Sequence, residues 1–250
     1  SFTGWTSPDG VPFANANNAA TTFIMPAKNV TITANWSYNG GGGSGGGDGS
    51  TPSTPPAPPS YKADVKIENG TETTLPVTVD KDTGTASVDA GSQGLDQGET
   101  NITIPSIPDV DTYSVGIPVP DLSTSDIQRR LTINTDAGSV TVPSNMLTGV
   151  SGISGSKAEI TIGQGDKDNL PDIVKAAIGD RPLVQLSLSI DGKQTDWSNP
   201  DAPVTVSIPY TPTAAELANP ESIVVWYIDG SGKAISVPNG HYDPETGTVT

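Results

Sequence analysis

The chain lacks cysteine and contains a single histidine, His241, among its 250 residues. Without cysteine it has no disulfide, no thiolate nucleophile and no cysteine-based zinc site. A Ser-His-Asp arrangement would have to use His241, which lies beside the turn at Asn239-Gly240, and the G-x-S-x-G motif is missing. The sequence therefore predicts an exposed loop histidine, no catalytic residue and a protein that is not an enzyme.

Long apolar runs and clusters of basic residues are missing as well. The 12 lysine and arginine residues stand against 28 aspartate and glutamate residues, which gives a formal charge of −16. Nucleic acids and anionic membranes are bound through basic patches, so neither is expected as a partner. No stretch is long and apolar enough to span a bilayer, and no signal peptide is recognisable. Because the chain begins at Ser1 and stops within an apparent strand, we expect an internal piece of a longer protein.

Glycine and proline, by contrast, are concentrated in residues 39–60, whose sequence is NGGGGSGGGDGSTPSTPPAPPS. This run has no apolar side chain larger than Ala, so it cannot bury enough surface to offset the entropy of ordering. We expect a flexible coil in its Gly-rich half and extended polyproline II in its Pro-rich half. The sequence therefore predicts a linker at 39–60 between a short module, 1–38, and a long module, 61–250.

The short module is rich in aromatic residues and predicts strands at Thr22–Met25 and Val30–Trp36. It is too small for an independent core of ordinary strength. Its runs FTGW at 2–5 and TFIMPAKNVTITANW at 22–36 resemble the C-terminal part of a divergent internalin-B-type B-repeat, also called the Listeria–Bacteroides repeat. That resemblance implies a small β-rich stalk or adhesion repeat of a secreted bacterial protein.

Alternation of apolar and hydroxyl-bearing residues marks the strands of the long module. The clearest cases are Ile160–Ile162, Leu186–Ile190 and Val204–Ile208, which predict half-buried antiparallel strands. Leu131–Thr135 and Ser139–Val142 predict a hairpin.

Two short helices are expected between these strands. One is predicted at Pro171–Ile178, and the other begins at a capping box of Thr213 and Glu216 and runs through Ala218. The expected buried face of the first consists of Ile173, Val174, Ala177 and Ile178. Strands interrupted by short helices favour an all-β fold, an antiparallel β-sandwich, over a βαβ fold.

Prolines and apolar runs predict positions within the sheet. The strands at Ile102–Ile104 and Val115–Val119 are expected at edges or sandwich corners, because prolines flank them. Those prolines are Pro105, Pro108, Pro118 and Pro120. The continuous apolar run Ile223–Ile228 predicts a central strand. The long module is either one sandwich or two subdomains, at about 61–122 and 123–250.

Several segments of the long module resemble a β-sandwich region common in Gram-positive surface proteins. The segments are 135–140, 179–182, 186–192, 204–210, 225–230 and 242–249. Such regions often precede S-layer homology domains, which dock on cell-wall polymers. The resemblance implies a cell-wall or S-layer-associated protein that reaches the wall polymer through domains outside this chain, and a last sheet that is truncated here.

Clustered carboxylates indicate where a cation would bind. Asp80 with Asp82, and Asp166 with Asp168 and Asn169, offer the oxygen ligands that calcium prefers. Neither run completes an EF-hand loop, and Asp and Asn in turns often bond to their own backbone instead. No cofactor is expected, and calcium is the metal that the sequence suggests.

Three other side chains are candidates for a ligand or a crosslink. Trp197 lies in a loop-like run and is a candidate for stacking on a sugar, although packing is the more frequent role of such residues. Lys66 and Lys157 lie on apparent strands, and a lysine buried beside an Asn and an acid would be able to form an isopeptide crosslink. Lysine is rarely buried, so exposed side chains are the favoured interpretation.

These features together predict a non-enzymatic extracellular segment at the bacterial cell surface, which serves as a stalk, a spacer or an adhesive segment. Two alternatives stay open: a sandwich that binds carbohydrate or a host protein, and an accessory region of a larger surface enzyme. The expected partners are a cell-wall polymer, bound through other domains, and a host or environmental glycan or protein.

Overall fold

The computed structural model separates residues 1–55 from residues 56–250 as two units. The residues described are 2–7, 11–23, 30–36, 60–68, 70, 72–91, 98–126, 128–237 and 239–250. The predicted linker, apart from Ser60, lies outside the described residues.

The described residues of the smaller unit form one antiparallel pair, β1 (Phe2–Thr6) with β2 (Thr33–Trp36). The side chain of Asn35 fastens the pair, because its Nδ2 donates to the carbonyl oxygen of Gly4 at 3.0 Å. The strand predicted at Val30–Trp36 is thus present in its second half. Of the strand predicted at Thr22–Met25, Phe23 forms a bridge to Phe13, and the last two residues lie outside the described residues.

Aromatic rings supply the packing of this unit. Phe2 lies between Trp5 and Trp36, with ring centroids 5.5 and 5.3 Å away. The contacts continue from Trp5 to Phe13 at 6.4 Å and from Phe13 to Phe23 at 5.9 Å. Trp36 is 70% exposed, so this end of the row of rings is open to solvent.

The described residues of the larger unit form fifteen further strands. They are β3 (Tyr61–Ile67), β4 (Thr73–Asp80), β5 (Thr85–Asp89), β6 (Glu99–Thr103), β7 (Thr112–Pro118), β8 (Arg130–Asn134), β9 (Ser139–Pro143), β10 (Lys157–Gln164), β11 (Val184–Ile190), β12 (Lys193–Gln194), β13 (Thr205–Pro209), β14 (Val225–Ile228), β15 (Ala234–Val237), β16 (Tyr242–Asp243) and β17 (Thr248–Val249). Thirteen of them form one sheet in the order β12-β11-β10-β7-β5-β4-β3-β6-β8-β9-β13-β17-β16. Neighbours in this sheet are antiparallel, except for the parallel pairs β5 with β7 and β6 with β8.

This sheet folds over on itself and encloses one hydrophobic core. Strands from both halves contribute to it, since Val65, Val115, Ile133 and Ile162 are all fully buried. The all-β sandwich predicted from the sequence is thereby confirmed. Residues 61–122 and 123–250 supply strands to the same sheet and side chains to the same core.

Strand β10 illustrates how the sequence specifies this arrangement. Ala158, Ile160 and Ile162 are buried, whereas Glu159 and Thr161 between them are half-buried on the opposite face, as the twofold period of a strand requires. The strand pairs with β7 on one side and β11 on the other. Full burial of one such aliphatic side chain contributes about 1.5–3 kcal/mol.

The strands flanked by prolines lie inside the sheet, so the prediction of edge strands is wrong. β6 pairs with β3 and β8, and β7 pairs with β5 and β10. Pro105 and Pro108 follow β6 in a connection, and Pro118 is the last residue of β7. The missing N–H groups therefore fall at the ends of the ladders, where they cost no central hydrogen bond.

The apolar run Ile223–Ile228 is not a central strand, and that prediction is also wrong. Within the described residues, β14 pairs only with β15, and the two form a separate two-stranded ribbon. Trp226 and Tyr227 are 56% and 59% exposed. Apolar composition predicted burial, but burial depends on how many elements pack against the strand.

Both predicted helices are present, as α1 (Asp172–Ile178) and α2 (Ala214–Ala218). At the start of α2 the Thr213 hydroxyl accepts from the Glu216 N–H at 3.3 Å, while the Thr213 N–H donates to the Glu216 carboxylate at 2.8 Å. The predicted capping box is thereby confirmed.

The buried face predicted for α1 is wrong. Ile173 is 81% exposed, and no residue of α1 is buried. Polar contacts hold this helix instead, since Lys175 donates from its Nζ to the carbonyl oxygen of Asp168 at 2.7 Å. A helix of two turns anchored in this way does not need an apolar face against the sheet.

Candidate functional site

The first pair of carboxylates proposed for calcium lies at the turn between β4 and β5. The Asp80 carboxylate accepts hydrogen bonds from the backbone N–H groups of Asp82 at 2.9 Å and Thr83 at 3.3 Å. These bonds, that from Asp82 foremost, hold the pKa of Asp80 below its ordinary value. The carboxylate thus closes its own turn.

The second candidate cluster shows the same bonding. The Asp166 carboxylate accepts from the backbone N–H of Asp168 at 2.7 Å and from the side-chain amide of Asn169 at 2.6 Å. In the described part of the chain, no group of three or more His, Cys, Asp or Glu side chains is placed to hold a metal ion. Calcium binding at either cluster stays a prediction.

His241 is exposed, in the connection between β15 and β16. Its ring Nδ1 is 3.4 Å from the carbonyl oxygen of Asn239, and its backbone exchanges hydrogen bonds with Thr250 at 2.9 and 3.0 Å. The carboxylate of the neighbouring Asp243 accepts from the N–H of Glu245 at 2.9 Å. The hydrogen bonds of this region therefore stabilise its turns.

Trp197 is half-buried and packs against the core of the sandwich. Its loop is anchored by Asn199, whose side-chain amide donates to the carbonyl oxygens of Asn145, Met146 and Thr148 at 3.1 to 3.2 Å. This anchor was not anticipated, because its partners lie more than fifty residues earlier in the chain. Sugar stacking by Trp197 stays a prediction, and packing accounts for its position.

Lys157 lies on the outer face of β10 among acids. Its Nζ is 2.8 Å from the Asp89 carboxylate and 3.9 Å from that of Glu159, and the stem passes over Gly116. The bond with Asp89 raises the pKa of Lys157, and the same bond lowers the pKa of Asp89. The amine is therefore charged, and the side chain is 43% exposed. Isopeptide formation needs an uncharged amine, so the geometry supports an ion pair.

Lys66, the second crosslink candidate, pairs with Glu72 at 3.2 Å, and the two side chains are 71% and 74% exposed. The contact is a surface ion pair of the kind that contributes little to stability.

Tyr113 is a buried titratable residue that the sequence did not indicate. It lies on the inner face of β7 and is fully buried. Burial raises the pKa of Tyr113, and the carboxylate of Asp136 on the β8–β9 turn raises it further. Ser106 donates to that carboxylate at 2.6 Å. The phenol therefore stays protonated, and its buried oxygen makes no hydrogen bond among the described residues.

One extended polar surface emerges only from the strand order. The outward side chains of β4, β3, β6, β8, β9 and β13 form two rows in register, which we call the polar face. The first row is Thr74, Asp64, Thr103, Asn134, Ser139 and Ser207, and the second is Lys66, Asn101, Thr132, Thr141 and Thr205. Alternation in the sequence places Thr205 and Ser207 on the hydroxyl-bearing face of their strand, but it does not say which strands are neighbours.

Comparison with known proteins bears on the smaller unit. No curated protein and no solved structure matches the chain. None of the helices formed by the described residues is long and apolar enough to cross a membrane. Residues 1–40 match the family model of the divergent InlB B-repeat domain, which confirms the resemblance of the N-terminal segment to a bacterial B-repeat.

Proposed function

We propose that the chain is a non-enzymatic extracellular segment of a cell-wall or S-layer-associated protein of a Gram-positive bacterium, and that it serves as a spacer or an adhesive segment. The observation that carries the proposal is the B-repeat match at 1–40 followed, in a separate unit, by an all-β sandwich. B-repeats are typical of bacterial surface proteins, and a sandwich without cysteine keeps its fold without disulfides.

The position of β3 supports a spacer that bears load. Tyr61 begins this strand directly after the Gly/Pro-rich run, so a pull on the run is applied to β3. The strand is held on both sides by antiparallel ladders, to β4 and to β6. Displacing it requires breaking both ladders, whereas an edge strand would be held by one.

Surface labelling of intact cells tests the proposal. Antibodies raised against residues 1–250 should label intact cells of the organism that encodes the chain, and protease treatment of those cells should release its peptides. A cytoplasmic marker serves as the control for lysis. Labelling that requires permeabilised cells would contradict an extracellular location. Release by a denaturant wash without lysis would support non-covalent association with the wall.

The alternative of an accessory region of a larger surface enzyme is tested separately. A catalytic domain elsewhere in the full reading frame would assign the chain to that enzyme as its spacer. The alternative of a binding module is favoured by a specific observation, the polar face.

A further inference from the structure

The polar face is a regular surface of short side chains. Six neighbouring strands carry the first row and five of them the second, and adjacent strands lie about 4.8 Å apart, so the rows span about 24 Å and about 19 Å before twist. The two rows are separated by two residues along each strand, or about 7 Å. Apart from Lys66, every side chain in the rows is an Asp, Asn, Ser or Thr.

The charge of this face differs from that of the chain. The chain carries a net charge of −16, but the two rows contain one acid, Asp64, and one base, Lys66. Within the two rows, polyanions such as nucleic acids would find a single cation, and basic partners a single carboxylate. The one further charge at the cleft, Glu72, is paired with Lys66 at 3.2 Å. Charges on the two sides of an interface are normally opposite and balance each other. Because the two rows together carry no net charge, this face fits an uncharged partner.

An open cleft of about 410 Å³ lies at the β4–β3–β6 end of the polar face. Its polar lining consists of Asp64, Lys66, Glu72, Thr73, Thr74, Asn101 and Thr103. Hydroxyl and amide groups both donate and accept hydrogen bonds, the carboxylates accept, and the ammonium donates. The cleft therefore offers both kinds of hydrogen-bonding group in one concave site.

Part of the face is held in place by its own contacts. The hydroxyls of Thr132 and Thr141 are 2.9 Å apart, and the Asn134 amide donates to Thr103 at 3.5 Å. Within the described residues, the side chains of Asp64 and Asn101 make no hydrogen bond of their own. They are left to bond with water or with a ligand, beside neighbours whose positions are fixed.

We propose that the polar face binds a neutral polysaccharide chain, and that the cleft accommodates one of its sugar residues. Sugar hydroxyls donate and accept at once, which is the chemistry that Ser, Thr and Asn side chains match. An apolar peptide would find no apolar side chain in either row. The proposal rests on the proposed function only in that an extracellular segment is accessible to such polymers.

Affinity electrophoresis of the full chain tests this site. The chain is run in native gels cast with dextran, mannan, laminarin or starch, and with hyaluronan as an anionic control. At least one neutral polymer should retard it, and hyaluronan should not, because the chain is strongly acidic. Migration unchanged in all four neutral polymers would overturn the proposal, while leaving the surface-labelling result untouched.

Two matched triple variants locate the binding. In the first, Asn101→Ala, Thr103→Ala and Thr205→Ala remove polar groups from the face. In the second, Thr78→Ala, Thr85→Ala and Ser87→Ala remove the same number from the outward side of β4 and β5. The first should weaken binding by about tenfold or more, since three hydrogen bonds are lost, and the second should leave it unchanged. Equal effects of the two would place the site elsewhere and overturn the proposal.

Two further measurements test whether a misfolded variant or a second copy of the chain on the polar face explains the result. Amide shifts of the unaltered chain, titrated with an oligosaccharide of the retarding polymer, should concentrate in β3, β6 and β8, and shifts confined to other strands would contradict the site. Sedimentation should show a monomer. A dimer that the first triple variant dissociates would mean that a second copy covers this face, which also overturns the proposal.

Discussion

The burial of strands β10 and β14 is the reverse of what their composition predicts. The sequence of β14, VWYI, is wholly apolar, whereas that of β10, KAEITIGQ, is half polar. Yet β10 buries Ala158, Ile160 and Ile162, while β14 exposes Trp226 and Tyr227. The difference is that β10 has a strand on each side and a core beneath it, whereas β14 has one partner in the ribbon. Burial here follows from the number of neighbours, and hydrophobicity alone does not decide it.

The largest difference in unfolding free energy is expected when an isoleucine is replaced by alanine in the sandwich and in the ribbon. Ile133→Ala in the sandwich should lower the free energy of unfolding by about 2–5 kcal/mol, because a fully buried side chain leaves a cavity. Ile235→Ala in the ribbon removes a side chain that is 44% exposed and should cost a fraction of that. Denaturant unfolding followed by circular dichroism measures both. Similar costs would mean that the ribbon is packed as tightly as the sandwich.

Replacing a turn glycine by alanine in the sandwich and in the ribbon tests the same difference in packing. Gly138 has φ of 149°, and a Cβ there would lie 2.8 Å from the carbonyl oxygen of Ser207. Gly138→Ala should therefore cost about 1–3 kcal/mol through backbone strain and displacement of β13. A Cβ on Gly230, in the ribbon turn, would meet no described residue within 4 Å apart from the two that adjoin it, so Gly230→Ala is the control and should be nearly neutral. A melting temperature unchanged by Gly138→Ala would contradict the close approach.

Low pH should affect the sandwich and the ribbon differently, through a turn carboxylate in each: Asp191 in the sandwich and Asp229 in the ribbon. Bonds from the Lys157 and Ser156 N–H groups lower the pKa of Asp191, and bonds from Ser231 and Lys233 lower the pKa of Asp229. A folded-state pKa below the unfolded value of 3.8 gives stability that is present above that pH and lost as the pH falls through the folded pKa.

Because Asp191 joins β11 to the start of β10, Asp191→Asn should flatten the decline in sandwich stability below about pH 4. Asp229→Asn, the matched variant in the ribbon, should leave that decline unchanged. Thermal melts between pH 2 and about pH 6 measure it. An equal response to both variants would show that the ribbon unfolds together with the sandwich.

The smallest effect is expected for the exposed rings. Replacing Trp226 and Tyr227 together by Ser should change the unfolding free energy of the sandwich by no more than about 0.5 kcal/mol each, as for other surface substitutions. Guanidinium unfolding provides the measurement. A loss of several kcal/mol would reveal that the rings support the sandwich, which their exposure argues against.

Local features of this fold were predictable, and long-range ones were not. The alternation in β10 and β11, the β8–β9 hairpin and the Thr213 capping box depend on residues close in sequence, and all are present. Which strands become neighbours is decided by contacts between residues far apart in sequence, as for β5 and β7. Such contacts leave no pattern in the local sequence. For the same reason the sequence predicted strands in which apolar and hydroxyl-bearing residues alternate without assembling the polar face, and it assigned to α1 a buried apolar face of which no residue is buried.

The two parallel strand pairs have a consequence for how the molecule folds. β5 pairs with β7 while β6, which lies between them in sequence, pairs in parallel with β8. Neither pair is closed by a hairpin, and β9 meets β13 through partners as distant as Val140 and Val206. Long loops must therefore close before these contacts form, and proteins dominated by such contacts fold slowly. Because β6 needs β8 and β7 needs β10 as partners, the strands made early in synthesis lack part of their hydrogen bonds until the later strands have been made.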